Sequence, residues 1–198
     1  MKTILQLNTS ILSGNGESSR LVDEFVSQLD GDVIVRDLAK EPVPHLDAER
    51  FSAFITPKES RNEKQRQVVA YSDRLIDEVR RADTIVIGLP LYNFGVPSGF
   101  KAWIDHIARA GITFRYTDQG PIGLLTGKKV YVVATRGGYY QGTALDSQTQ
   151  YVRDFFAFLG MTDVEFVYAE GLATGDAAKA ASLAKAREQL RQLVPAYA

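Results

Sequence analysis

The sequence has no cysteine among its 198 residues, which removes disulfides, thiolate metal sites, iron–sulfur ligation and a cysteine nucleophile, and gives secretion no support. A reducing cytoplasm is the expected environment. Histidine is nearly as scarce. The two residues, His45 and His106, have no partner at ligand spacing, so no metal site is expected and both are assigned structural roles. Long apolar runs are missing too. The longest, around 85–91, falls far short of the roughly 20 residues a membrane helix needs, and Gln6 and Asn8 interrupt the first apolar segment, so no signal-peptide core is expected. Neither sign of charge dominates. With 23 basic against 24 acidic residues and a formal net charge of -1, no nucleic-acid groove and no membrane surface is expected as a partner. A 45% apolar content suits one domain spanning 1–198.

Against this background a periodic order stands out. Segments rich in β-branched residues at 3–8, 32–36, 84–90, 129–135 and 163–168 alternate with helical patterns at 19–29, 62–81, 98–109, 147–160 and 176–193. The runs at 84–89 and 130–134 are almost continuously apolar, as strands buried on both faces of a parallel sheet should be. In the second helix Val68, Tyr71, Leu75, Ile76 and Val79 form one stripe. Its start has two candidates, a capping box at Thr56-Pro57-Lys58-Glu59 and a cap at Asn62. Five βα units with right-handed crossovers predict a flavodoxin-like α/β fold, a five-stranded parallel sheet of order 2-1-3-4-5 with helices on both faces. Two excursions, 37–54 and 111–127, lie outside the pattern.

In such sheets ligands sit beyond the carboxyl ends of the strands, where strand order reverses. The first loop there, 9–19, is made largely of hydroxyls and glycines. Close backbone approach, unpaired N–H groups at a helix start and Ser hydroxyls would together hold a phosphomonoester, although caps and turns favour the same residues. A competing reading takes Gly14-Asn15-Gly16-Glu17-Ser18-Ser19 as an altered dinucleotide fingerprint with Asp37 as its ribose-binding acid. The third glycine is absent, however, and the loop begins too late after the strand.

The second loop, 89–98, holds Tyr92, Asn93, Phe94, Gly95 and two prolines, which together could form a rigid floor for a flat ring or merely fill the core. The third, Thr135-Arg136-Gly137-Gly138-Tyr139-Tyr140, has glycines for close approach and places Arg136 where it could neutralise a reduced ring or a phosphate; the alternative is a solvent turn with an exposed arginine. A phosphate cradle and two ring clamps at one end of one sheet describe a flavin site.

These residues resemble the FMN-dependent NADH:quinone oxidoreductases that include the bacterial azoreductases. The resemblance covers nearly the whole chain. It is carried by Tyr92-Asn93-Phe94, by the run 108–117 through Phe114-Arg115-Tyr116, by Gly120-Pro121, Gly123-Leu124 and Thr126-Gly127-Lys128-Lys129, by Arg136-Gly137-Gly138 and by Ala169-Glu170-Gly171. It implies an FMN held by Ser10, by Gly16, Glu17 and Ser18, by Leu91, Tyr92, Asn93 and Phe94, and by Thr135, Arg136, Gly137 and Gly138. Leu91 and Thr135 stand where members often carry Met and Ser, both conservative changes. Glu17 departs more, because a carboxylate is repelled by a phosphate, and it is expected to offer its backbone N–H while its side chain faces water.

The resemblance further implies NADH as donor, a quinone or azo compound as acceptor and a ping-pong exchange on one flavin face with no side chain acting as catalyst. It also implies a homodimer in which Tyr116 overhangs the partner's flavin, with Tyr139 lining the substrate pocket. The aromatic cluster Tyr151, Phe155, Phe156 and Phe158 is expected to face that partner in part or to fill the core. Asp105 and Arg109 are expected to form a surface i,i+4 pair. An FMN electron carrier without NADH turnover and a nucleotide-binding module without flavin are the alternative readings.

Overall fold

The computed structural model describes residues 1–197. From the N-terminus the elements run β1 (Thr3–Asn8), α1 (Glu17–Val26), β2 (Asp32–Asp37), α2 (Ala48–Ile55), α3 (Glu63–Arg81), β3 (Thr84–Pro90), α4 (Ser98–Ile107), β4 (Phe114–Thr117), β5 (Gly120–Gly123), β6 (Lys129–Thr135), α5 (Thr149–Phe158), β7 (Asp163–Ala169) and α6 (Asp176–Tyr197). The central sheet has the order β2-β1-β3-β6-β7, with every neighbouring pair parallel. Leaving out the β4–β5 hairpin, this is the expected order 2-1-3-4-5.

Alternation along the strands divides the core in two. Leu5, Leu7, Ile85, Ile87, Leu89, Val130 and Val132 face one side, against Leu75, Ile76 and Val79 of α3, Phe100, Trp103 and Ile107 of α4, and Val152 and Phe156 of α5. Ile4, Val86, Tyr131, Val133 and Val167 face the other, against Leu21, Val22 and Phe25 of α1 and Leu183, Ala186 and Leu190 of α6. Side chains one residue apart point to opposite faces, so the nearly continuous apolar runs serve two helical layers.

Of the two candidate starts for the second predicted helix, the later one is used. α3 begins after Asn62, whose side chain accepts from Gln65 N–H while Gln65 Oε1 accepts from Asn62 N–H. Thr56 instead accepts from the Gln65 side chain at 3.2 Å, so the earlier box feeds a short 3₁₀ turn, Lys58–Ser60. The buried α3 face is Val69, Ser72, Leu75, Ile76 and Val79; Val68 and Tyr71 flank it. Both excursions contain structure that the sequence pattern did not show. The first forms α2, capped by Asp47, and the second forms the β4–β5 hairpin. The aromatic cluster is mostly core: Phe156 is buried with Phe155 and Phe158 packed beside it, and Phe158 lies 4.3 Å, centre to centre, from Phe114 of the hairpin.

Candidate functional site

The first loop leaves β1 beside β3, with the Thr9 hydroxyl donating to Gly88 O at 2.7 Å. A 3₁₀ turn, Ser13–Asn15, then brings the chain to Gly16, the N-cap of α1, which has no side-chain cap. Its first N–H groups therefore point out of the helix with its positive dipole end. Here the Ser18 and Ser19 hydroxyls are buried without a hydrogen-bond partner, a costly state unless something else satisfies them. Ser10 Oγ accepts from Leu12 N–H and lies 3.2 Å from Tyr92 OH; with Tyr92 as donor, the Ser10 hydrogen stays free. The donor set fits a phosphate: uncapped N–H groups, three hydroxyls and no carboxylate among them.

Glu17 follows a different course from the expected one. Its carboxylate does not face water alone but pairs with Lys179 of α6 at 2.7 Å and approaches Arg20 at 3.9 Å. Its charge is thus compensated by two cations. The dinucleotide alternative loses its acid, because Asp37 accepts from Ser13 Oγ and from Ala39 and Lys40 N–H and so caps its own turn.

The second loop continues the β3–β6 ladder through Leu91 N–H to Thr135 O at 2.9 Å. Tyr92 and Gly95 then exchange N–H···O bonds in both directions, at 3.2 and 2.9 Å, around Asn93 (φ 50°) and Phe94 (φ 59°). That is the signature of a type I′ turn. Asn adopts this conformation readily, but in Phe it stores on the order of 1–3 kcal/mol and marks a constrained site. With Ser13 at φ 51°, every described non-glycine residue of positive φ lies in one of these two loops.

The third loop corrects an expectation. The Arg136 side chain is 0% exposed and lies between Asp146 at 2.7 Å and Glu170 at 3.2 Å, with its Cζ 4.9 Å from the Tyr168 ring centre. It cannot reach a ring or a phosphate, because two carboxylates and an aromatic face hold it inside. Burial raises the Asp146 carboxyl, but bonds from Arg136 and Thr149 outweigh it and leave the pKa below the ordinary carboxylate value. The backbone of Arg136, Gly137 and Gly138 pairs with residues 169–173, extending the β6–β7 edge toward the site. Tyr140 reaches the second loop, its ring 5.4 Å from that of Phe94.

Three loops thus meet beyond the strand ends, joined by Ser10 to Tyr92, Leu91 to Thr135 and Phe94 to Tyr140. Residues 2–194 match the model of a family described by its flavodoxin-like fold. A protein of Cellvibrio japonicus named FMN-dependent NADH:quinone oxidoreductase is 50% identical over 99% of this chain and 100% of its own length. One of the same name from Alcanivorax borkumensis is 53% identical over 94% of this chain and 97% of its own. The chain is a member of the FMN-dependent NADH:quinone oxidoreductase family. Among solved structures, an azoreductase from Bacillus anthracis matches with a TM-score of 0.89 at 25% identity, covering 98% of this chain and 99% of that one. An FMN-dependent NADH-azoreductase of the same species, solved with FMN, matches with a TM-score of 0.86 at 25% identity, covering 98% and 100%.

Other expected residues of this oxidoreductase lie apart from the three loops. Tyr116 on β4 is 72% exposed and packs edge-on to Phe114 at 5.4 Å. With Phe51, Phe54, Ile55 and Arg109 it lines a cavity of about 560 Å³. Among the described residues no hydrogen bond or ring contact joins Tyr116 to the three loops. Tyr139 is exposed, with its hydroxyl 3.5 Å from Thr174 Oγ. The expected Asp105–Arg109 pair does not form. Asp105 takes Lys101 at 2.5 Å, whereas buried Arg109 takes Asp73 at 2.6 Å. His106 is buried with Nε2 3.0 Å from Pro44 O; His45 is exposed. Among the described residues there is no cluster of three or more potential metal ligands and no helix long and apolar enough to cross a membrane.

Sequence reasoning missed Ser147, Gln148 and the role of Glu170. Only Glu170 carried a signal, as part of Ala169-Glu170-Gly171 at the same end of the sheet as the other loops.

Proposed function

We propose that the three loops hold one FMN and that the protein passes hydride from NADH to quinones and azo compounds. The observation that carries this reading is the uncapped start of α1 with the Ser18 hydroxyl buried and unpartnered beside it. Ser10, Ser18 and the N–H groups after Gly16 would take the phosphate, with Glu17 contributing only its backbone. Leu91, Tyr92, Asn93 and Phe94 on one side, and Thr135, the Arg136 backbone, Gly137 and Gly138 on the other, would meet the ring edges. Bound FMN supplies the hydride chemistry, and the chain supplies position, edge hydrogen bonds and a dry face.

NADH and the acceptor would take turns on that face, beside Phe94 and Tyr139, which implies ping-pong kinetics. The protein is read as a single domain and a homodimer of the cytoplasm. Exposed Tyr116, Phe51 and Ile55 around an open apolar cavity suit a second copy, whose Tyr116 would overhang the site. The deciding experiment is the spectrum of the purified protein, identification of the released chromophore and anaerobic addition of NADH. A yellow protein bleached by NADH, with parallel double-reciprocal lines, supports the reading. A colourless protein that does not take up FMN sinks it, and flavin that NADH leaves oxidised points to a carrier. Sedimentation as a monomer with full activity would overturn the dimer.

A further inference from the structure

The side chain of Arg136 points away from the site, yet its contacts lead back to it. Glu170, one of its two carboxylate partners, also accepts the N–H groups of Tyr140 and Gln141, both at 2.8 Å. Asp146, the other, accepts the N–H of Thr149 at 3.1 Å and its hydroxyl at 2.9 Å. One guanidinium thereby pins the segment 137–149 near its beginning and at its end, where α5 starts.

Between these anchors the segment reaches across to the second loop. The Ser147 hydroxyl donates to Phe94 O, Gln148 Nε2 donates to Pro90 O at 3.1 Å, and the Tyr140 ring packs against Phe94. Phe94 is the one bulky residue in the left-handed conformation among the described residues, and such a side chain keeps it only where its surroundings over-determine it. Besides the turn's own Tyr92–Gly95 bonds, the contacts on Phe94 come from the 137–149 segment, and Arg136 holds that segment.

We propose that Arg136 is a positioning residue for the flavin: from a fully buried place it sets the geometry of the Asn93-Phe94 turn without touching the ring. The inference rests on the FMN-binding reading above. Arginine suits this role because its planar fork reaches two carboxylates in fixed directions, which a lysine ammonium cannot do. As a device for stability alone the cluster would be a poor one, since buried ion pairs are often replaceable by apolar residues without loss. Its value lies in holding the cofactor's contacts in place before binding, which strengthens affinity by reducing what must be ordered.

The test is titration of FMN fluorescence by apoprotein, run beside urea unfolding, for wild type, Arg136→Met, Arg136→Lys, Ser147→Ala and Glu170→Gln. Arg136→Met is expected to weaken FMN binding about tenfold or more in folded protein, with partial rescue by Arg136→Lys. Ser147→Ala, a change at an exposed residue, is expected to weaken it about threefold. Combined with Glu170→Gln it should add less than its separate effect, because both act through one unit. Wild-type affinity in Ser147→Ala and Arg136→Met, with only the urea midpoint lowered, would overturn the inference and leave an ion pair that merely stabilises. Should Arg136→Met not fold, full additivity of Ser147→Ala and Glu170→Gln would overturn it instead. Failure of the wild type to bind FMN would overturn the proposed function, and this inference with it.

Discussion

Gly16 faces the Ser10 hydroxyl so closely that a Cβ on it would stand 2.3 Å from Oγ and 2.8 Å from the Ser10 Cβ. Ser10 is buried and tied to Leu12 and Tyr92, so it has little room to yield. Gly16→Ala is therefore expected to displace either Ser10 or the start of α1 and to weaken FMN binding by about tenfold or more. Equilibrium titration with FMN checks this, and an unchanged affinity would show that the cradle lies elsewhere.

Glu17 is expected to matter little for the cofactor. Its carboxylate is engaged by Lys179 and Arg20, and such partly exposed pairs contribute about 0–1 kcal/mol. Glu17→Gln should shift FMN affinity by no more than about threefold. A larger gain would mean that the charge repels the phosphate despite its two partners.

Phe94 holds a backbone conformation that asparagine adopts more easily. Phe94→Asn relieves strain on the order of 1–3 kcal/mol and gives up an edge contact with Tyr140 of about 0.5–1.5 kcal/mol. Urea unfolding is expected to show stability equal to or above that of the wild type, while kcat/KM with a quinone falls because the exposed ring is gone. A variant less stable by about 2 kcal/mol would argue that Phe94 is unstrained.

His106 gives the fold a dependence on pH. Burial disfavours its charged form, and the pull of the Pro44 carbonyl and Asp105 does not offset that burial and the repulsion from Arg50 and Arg109, so its pKa lies below the ordinary 6.5. The unfolded chain then binds a proton at a pH where the native state does not. Stability from this group is full above pH 6.5 and is lost as pH falls through the lower native value. His106→Gln keeps an N–H donor for Pro44, and its urea midpoint should fall less than that of the wild type between roughly pH 7.5 and pH 5. Parallel profiles would assign the acid sensitivity to other groups.

Gly123 belongs to the hairpin, and a Cβ there would lie 2.0 Å from Gly160 N and 2.1 Å from Leu159 C. Both obstacles are backbone and cannot rotate aside. Gly123→Ala should cost about 3 kcal/mol in urea unfolding or detach the hairpin from α5. Detachment alone would appear as faster proteolysis at 111–127 with the sheet intact.

The strands were legible because burial on both faces imposes a local pattern: 84–89 and 130–134 are almost continuously apolar, whatever lies around them. The first two loops were legible as well, since hydroxyls, glycines and prolines signal turns at short range. The excursions were less so. α2 needs the contact of Phe54 with His106 and Arg109, and the hairpin needs Gly160 and Phe158 beneath it.

The amino-acid sequence by itself determined the alternation of strands and helices, the end of the sheet where the loops gather, and the family. These depend on spacing and residue type along the chain. Tertiary structure alone decided the course of the two buried arginines. Arg136 turned inward because Glu170, 34 positions away, and Asp146 meet it there. Arg109 took Asp73 of α3 in preference to its helical neighbour Asp105. A buried guanidinium is settled by whichever carboxylates the folded chain brings within reach, and no short-range pattern records that.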